Sequence, residues 1–259
     1  MDELLPMSIK EYYEHFDLSS WNESLDLYSE KLQTCSEKDR KIWTVRLYTT
    51  HLQLVEVFWI NIFTITENDL WNNLFLSNNQ LRKRLNLVLE RKNYYKFTKY
   101  FFNNWVFGVN DKSLIENFDR KKSLYFSILS EISHDYLKDF ELLNAFKHGF
   151  RMVSSQGGVI NLQSDKGESF QLNNFNSSFS YYSKDFKKNL IIQNYIYFNW
   201  ERIMQKSVFL LNMLENTIQV LTCKSDEKIS LFTLIDTNKE EFIKFFGTFR
   251  LQTKYKLNE

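Results

Sequence analysis

The chain has almost nothing with which to turn corners: 259 residues contain six glycines and one proline. Sandwiches, barrels and nucleotide-binding α/β folds spend Gly and Pro at each of many tight turns. A chain this poor in both is expected to run in long helices. Its 43% hydrophobic and 25% charged residues are ordinary for a globular protein and argue against general disorder.

Apolar periodicity supports that expectation. Residues from about Ser8 to Leu32 read as two short helices with their rings and leucines on one side. Ser36 followed by Asp39 reads as a cap for a longer helix. In it Ile42, Val45, Thr49, Leu52, Val55, Trp59 and Ile62 recur at steps of three and four. Thr66-Glu67-Asn68-Asp69 marks a boundary, and helical character resumes from Leu70 to Leu89. Further helices are expected from Asn93 to Phe107 and from Leu114 to His148, the latter broken near Ser133-His134-Asp135 and stopped by Gly149.

From Val153 to Tyr182 the texture changes to glycines, Ser, Asn and alternating stretches. This predicts a small β-hairpin, with a turn at Asp165-Lys166-Gly167, or an ordered loop inserted between helices. A helix of roughly thirty residues is expected next, with Ile196, Trp200, Ile203, Leu210, Leu214, Ile218 and Leu221 on one face and Ser207 at the missing step. The tail, 228–259, mixes a strand-like Ile229–Ile235 with a helical pattern near Lys239–Phe246. The fold class is therefore mainly α, a single helical bundle domain over 1–259 with a β excursion at 153–182.

Composition narrows the function classes. A net charge of +1 demands neither nucleic acid nor an anionic membrane as partner. Cys35 and Cys223 are too few for a disulfide framework or a cysteine-rich zinc site, and are read as apolar residues. His15, His51, His134 and His148 have no metal-ligand spacing, so no metal or cofactor is expected. The strongest apolar run, Leu52 to Ile65, is interrupted by Glu56 and Asn61 and is short for a bilayer span. No membrane association and a cytoplasmic location are the default expectations. P-loop and nucleophile-elbow patterns are missing.

The informative string is Leu142-Leu143-Asn144-Ala145-Phe146-Lys147-His148-Gly149-Phe150-Arg151. Asn144, His148 and Arg151 are spaced to crowd one helix face, where imidazole, carboxamide and two cations suit a phosphate. The same residues also make a polar helix end, with Lys147, His148 and Arg151 complementing the macrodipole and Gly149 capping it. Asp135, Asp139 and Glu141 upstream read as solvated helix carboxylates, with Asp135 a candidate cap.

Asn144-Ala145-Phe146 with His148-Gly149 resembles the signature of the HEPN superfamily, small helical domains of bacterial defence and toxin–antitoxin proteins. Active members carry an Arg ahead of the His and cleave RNA without metal, typically as dimers. Leu143 stands at that arginine position and can neither bind phosphate nor stabilise charge. The resemblance implies an RNA-associated, homodimeric protein whose ribonuclease activity is weakened or absent. Any surviving chemistry would fall to His148 as acid or base, Asn144 as orienting group, and Lys147 or Arg151 as replacement cation. Arg46 and His51 also stand five residues apart, but a five-residue helical step turns side chains by about 140°, so the two point apart.

A basic, aromatic stretch supplies a second candidate surface: Arg82-Lys83-Arg84, then Arg91, Lys92, Lys96 and Lys99 among Tyr94, Tyr95, Phe97 and Tyr100. Cations with flat rings suit a single-stranded nucleic acid, although an amphipathic helix pair with its rings in the core has the same composition. The rival expectation is a non-enzymatic helical module that binds a protein partner through aromatic surface.

Overall fold

A computed structural model describes residues 7–90, 118–147, 152–155, 160–163, 169–172, 176–185, 187–222 and 249–256. The chain is mainly helical with an antiparallel β component, the expected class. In order it forms α1 (Ile9–Glu14), α2 (Ser19–Thr34), α3 (Glu37–Glu67), α4 (Leu70–Leu74), α5 (Asn78–Leu89) and α6 (Phe118–Lys147). Then follow β1 (Met152–Ser155), β2 (Ile160–Gln163), β3 (Ser169–Leu172), β4 (Ser177–Asp185), β5 (Leu190–Phe198), α7 (Trp200–Thr222) and β6 (Phe249–Lys256). The expected helix at 93–107, the turn at 165–167, the cap at Gly149 and the patterns at 229–235 and 239–246 lie outside the described residues.

Local chemistry sets the helix starts. Ser8 and Ser77 each accept from the backbone of the third helical residue, Glu11 or Gln80, whose side chain returns the bond. Such reciprocal caps satisfy two amides that the helix cannot. Ser36 Oγ likewise accepts from Asp39 N at 3.2 Å. α3 stops where Asn68 adopts φ of 55°, a left-handed conformation that Asn tolerates better than most residues. Asp69 then caps α4 by accepting from Asn72 N. Along α3, Ile42 of the expected apolar face is 54% exposed, whereas from Leu47 to Ile65 burial spreads beyond that face and leaves Gln53, Glu56, Val57 and Ile60 as a half-buried stripe.

The chain divides into two compact units: Met1–Asn22, Leu54–His134 and Val208–Lys239 form the first, and Glu23–Gln53, Asp135–Ser207 and Glu240–Glu259 the second. In the first unit, Phe58, Trp59, Ile62, Leu81, Leu85, Ile132 and Leu210 are buried. Two polar contacts are built into that unit: Tyr13 donates to Asn61 Oδ1 at 2.6 Å, and Trp59 Nε1 to Ser133 Oγ at 2.8 Å. Such pairing keeps large aromatic residues with polar tips in an interior.

The second unit holds the sheet, in the order β1-β4-β5-β6, and the separate hairpin β2-β3. The β component thus contains the expected excursion but extends beyond it, to Phe198 and to β6. Between β4 and β5, Asp185 Oδ1 accepts from Lys187 N and Lys188 N at 3.0 and 3.2 Å, and Asn189 has φ of 51°. A side chain that mimics a backbone turn explains how the chain reverses there without glycine. Phe179, Ile196 and Phe198 are buried, with the Tyr48 ring 5.4 Å from Phe179 and 4.8 Å from Phe198.

Two expected boundaries are corrected. Ile196 belongs to β5, and the helix begins at Trp200, because Asn199 Oδ1 accepts from Glu201 N at 2.9 Å and caps it there. α6 runs unbroken past Ser133-His134-Asp135. The polar residues that suggest a break serve as interior partners: Ser133 Oγ donates to Leu129 O and receives Trp59.

Candidate functional site

The HEPN-like string begins in the last turns of α6. Leu142 and Leu143 are 0% and 4% exposed, so the position that the resemblance assigns to arginine belongs to the packed interior. Asn144 and Lys147 are helical, in the final turn of α6. His148 and Arg151 lie outside the described residues, as do Arg91, Lys92, Lys96 and Lys99, so no catalytic arrangement of these groups is described.

Of the basic triplet on α5, Lys83 is exposed. Arg84 is engaged within its own unit: Nη1 donates to Glu67 Oε2 at 2.8 Å and Asn73 Oδ1 at 2.7 Å, with the guanidinium 5.6 Å from the Phe63 ring centroid. Arg82 is half-buried. The triplet therefore does not present three equivalent cations to a ligand. Arg46, of the second Arg–His spacing, lies over the Trp43 ring at 4.9 Å, while His51 is wholly buried.

The polar centre of the second unit is a cluster that sequence reasoning assigned to solvent. Asp135 and Asp139, one turn apart on α6, are each 2% exposed. Lys206 of α7, itself 0% exposed, donates through Nζ to Asp135 Oδ2. Arg250 of β6 donates from Nη2 to Asp135 Oδ1 at 2.8 Å and Asp139 Oδ2 at 2.6 Å, and from Nε to Asp139 Oδ1 at 2.9 Å. Tyr48 of α3 donates to Asp139 Oδ2 at 2.6 Å. Two carboxylates thus face two cations, the arrangement that lets charge stay in an interior.

The electrostatics follow from that geometry. Burial alone would raise the Asp135 carboxyl, but Lys206 and then Arg250 bring it below its ordinary value. Burial prevails at Asp139 and raises it, against the hydrogen bonds and charge of Arg250. Burial also lifts the Tyr48 hydroxyl well above its ordinary value, and the Asp139 charge lifts it further, so it remains a donor.

His51 adjoins this cluster. Its Nδ1 is 3.0 Å from Ser207 Oγ, and Ser207 Oγ gives its proton to Ile203 O at 2.8 Å. The serine must then accept, which places the imidazole proton on Nδ1. That is the reverse of nucleophile activation, where histidine accepts the serine proton. Burial first, and the Lys206 charge second, depress His51 to about 3, so it stays neutral. Among the described residues Nε2 has no hydrogen-bond partner, and both side chains are fully enclosed. The pair is interior structure.

Compared with known proteins, the chain matches no family model, no curated protein and no solved structure. Among the described residues, no group of three His, Cys, Asp or Glu side chains could hold a metal ion. No helix among them is long and apolar enough to cross a membrane.

Sequence reasoning missed the cluster because its cations come from distant segments. One signal was available: Lys206 falls on the apolar face of α7, three residues from Ile203 and four from Leu210. A charge on a buried stripe calls for a buried partner.

Proposed function

We propose that this chain is a HEPN-like, RNA-associated protein of the bacterial defence or toxin–antitoxin kind that acts as a homodimer by binding, without ribonuclease activity of its own. The observation that carries it is Leu143, packed at 4% exposure where the resemblance requires a phosphate-facing arginine. A core leucine one residue before Asn144 leaves His148 without the fixed cation that stabilises a charged phosphorane. Retention of RNA would rest on Lys147, the last residue of α6, and on Arg151, four residues further along the chain.

The test is a metal-free cleavage assay on mixed cellular RNA beside a binding titration on single-stranded RNA at rising salt. The expected result is intact RNA, with binding that weakens steeply as salt rises and loses about one unit of log–log slope in Lys147→Ala. Cleavage by the native protein that disappears in His148→Ala would overturn the loss of activity. Absence of RNA binding even at low salt would instead favour a helical module for a protein partner. A specific observation supports that second reading: Trp71 and Phe75, one turn apart at the end of α4, are 46% and 78% exposed.

A further inference from the structure

We infer that Arg250 is a latch that fixes the register of the C-terminal strand, giving the second unit a closed form with β6 docked and an open form with the β5 edge bare. This is independent of RNA binding. β6 is an edge strand, paired with β5 from Leu190↔Lys256 to Tyr197↔Phe249. A backbone ladder holds a strand but specifies its register weakly, because every residue carries the same donor and acceptor.

The sequence of β6 does not specify the observed face through hydrophobicity. Phe249, Leu251 and Tyr255 alternate with Arg250, Gln252 and Lys254. The register sets Arg250 directly opposite Ile196, which is 1% exposed, on the face that carries Asn194 and Phe198. Apolar alternation alone does not single out this face, because the other face of the sheet is covered as well, with Ser178 and Ser180 at 4% and 2% exposure. What selects this one is polar: Arg250 on Asp135 and Asp139, and Gln252 Nε2 donating to Asn194 Oδ1 at 2.8 Å. A slip of one residue turns the guanidinium to the other face and leaves two enclosed carboxylates with Lys206 as their remaining cation in the cluster. The cluster goes from balanced to a net charge of −1, in an interior that tolerates charge only when it is paired. Registers displaced by one residue are thereby strongly disfavoured.

The test is amide hydrogen exchange on the full chain, read separately for β6, β5 and α5. In Arg250→Met the β6 amides and their β5 partners should exchange on the order of a hundredfold faster, with α5 unchanged. Native-like protection of β6 in that variant would overturn the latch. Should Arg250→Met lose structure throughout, the deciding protein is Asp139→Asn/Arg250→Met, in which Asp135 and Lys206 remain as a balanced pair. With a latch, this double variant folds but β6 stays fast-exchanging. If its β6 exchanges at the native rate, the ladder alone holds the strand and the inference fails.

Discussion

Acidification from neutral pH should destabilise this protein through His51, and the size of the effect can be worked out. In the fold His51 is enclosed, bonded through Nδ1 to Ser207, and depressed from its ordinary value of 6.5 to about 3. An unfolded chain exposes the imidazole and lets it take a proton near 6.5, whereas the folded one refuses it until about 3. The unfolded state thus binds more protons throughout that window, so stability is fully present above 6.5 and is lost as the pH falls. The loss amounts to about 1 kcal/mol by about pH 5.5 and grows to several kcal/mol toward pH 3. Urea unfolding at about pH 7.5 and about pH 5.5, on the native protein and on His51→Asn, separates this from other titrations. The amide preserves a donor toward Ser207 but has no proton to gain. The native protein should lose about 1 kcal/mol more than the variant between the two conditions. An equal loss in both would refute the assignment of His51 as the neutral, enclosed base.

Three further outcomes are expected. Leu143→Arg, the substitution that would restore the HEPN-like arginine, should cost about 3–5 kcal/mol in urea unfolding, since it exchanges core packing for an unpaired enclosed charge. Unchanged stability would place residue 143 at the surface. Lys206→Met should cost a similar ~3–5 kcal/mol by leaving Asp135 short of a cation, and Lys206→Met/Asp135→Leu should recover most of it. A double variant no better than the single one would mean that the pair is not energetically coupled. Ser77→Ala removes the hydroxyl that accepts from Gln80 N while the backbone bond from residue 77 to Gln80 Oε1 remains, and it should lower stability by ~1 kcal/mol on thermal or urea unfolding, an undetectable change counting against the capping geometry.

The amino-acid sequence by itself determined what depends on neighbours along the chain. Scarce Gly and Pro fixed the helical class, and Ser8, Ser36, Asp69 and Ser77 fixed helix starts through bonds to residues three positions away. The changed texture after α6 announced strands for the same local reason. The resemblance of residues 144–149 to the HEPN signature was also legible, and so was the leucine at the position where that signature carries arginine. Tertiary structure alone decided which polar residues are interior. Asp139 reads as a solvated helix carboxylate until Arg250, 111 residues later, folds onto it, and Asp135 until Lys206 reaches it across 71 residues. Burial of charge depends on where the opposite charge arrives, and no helical or strand period encodes that. The same physics decided β6, whose apolar alternation leaves the choice of face open while its arginine requires one of them.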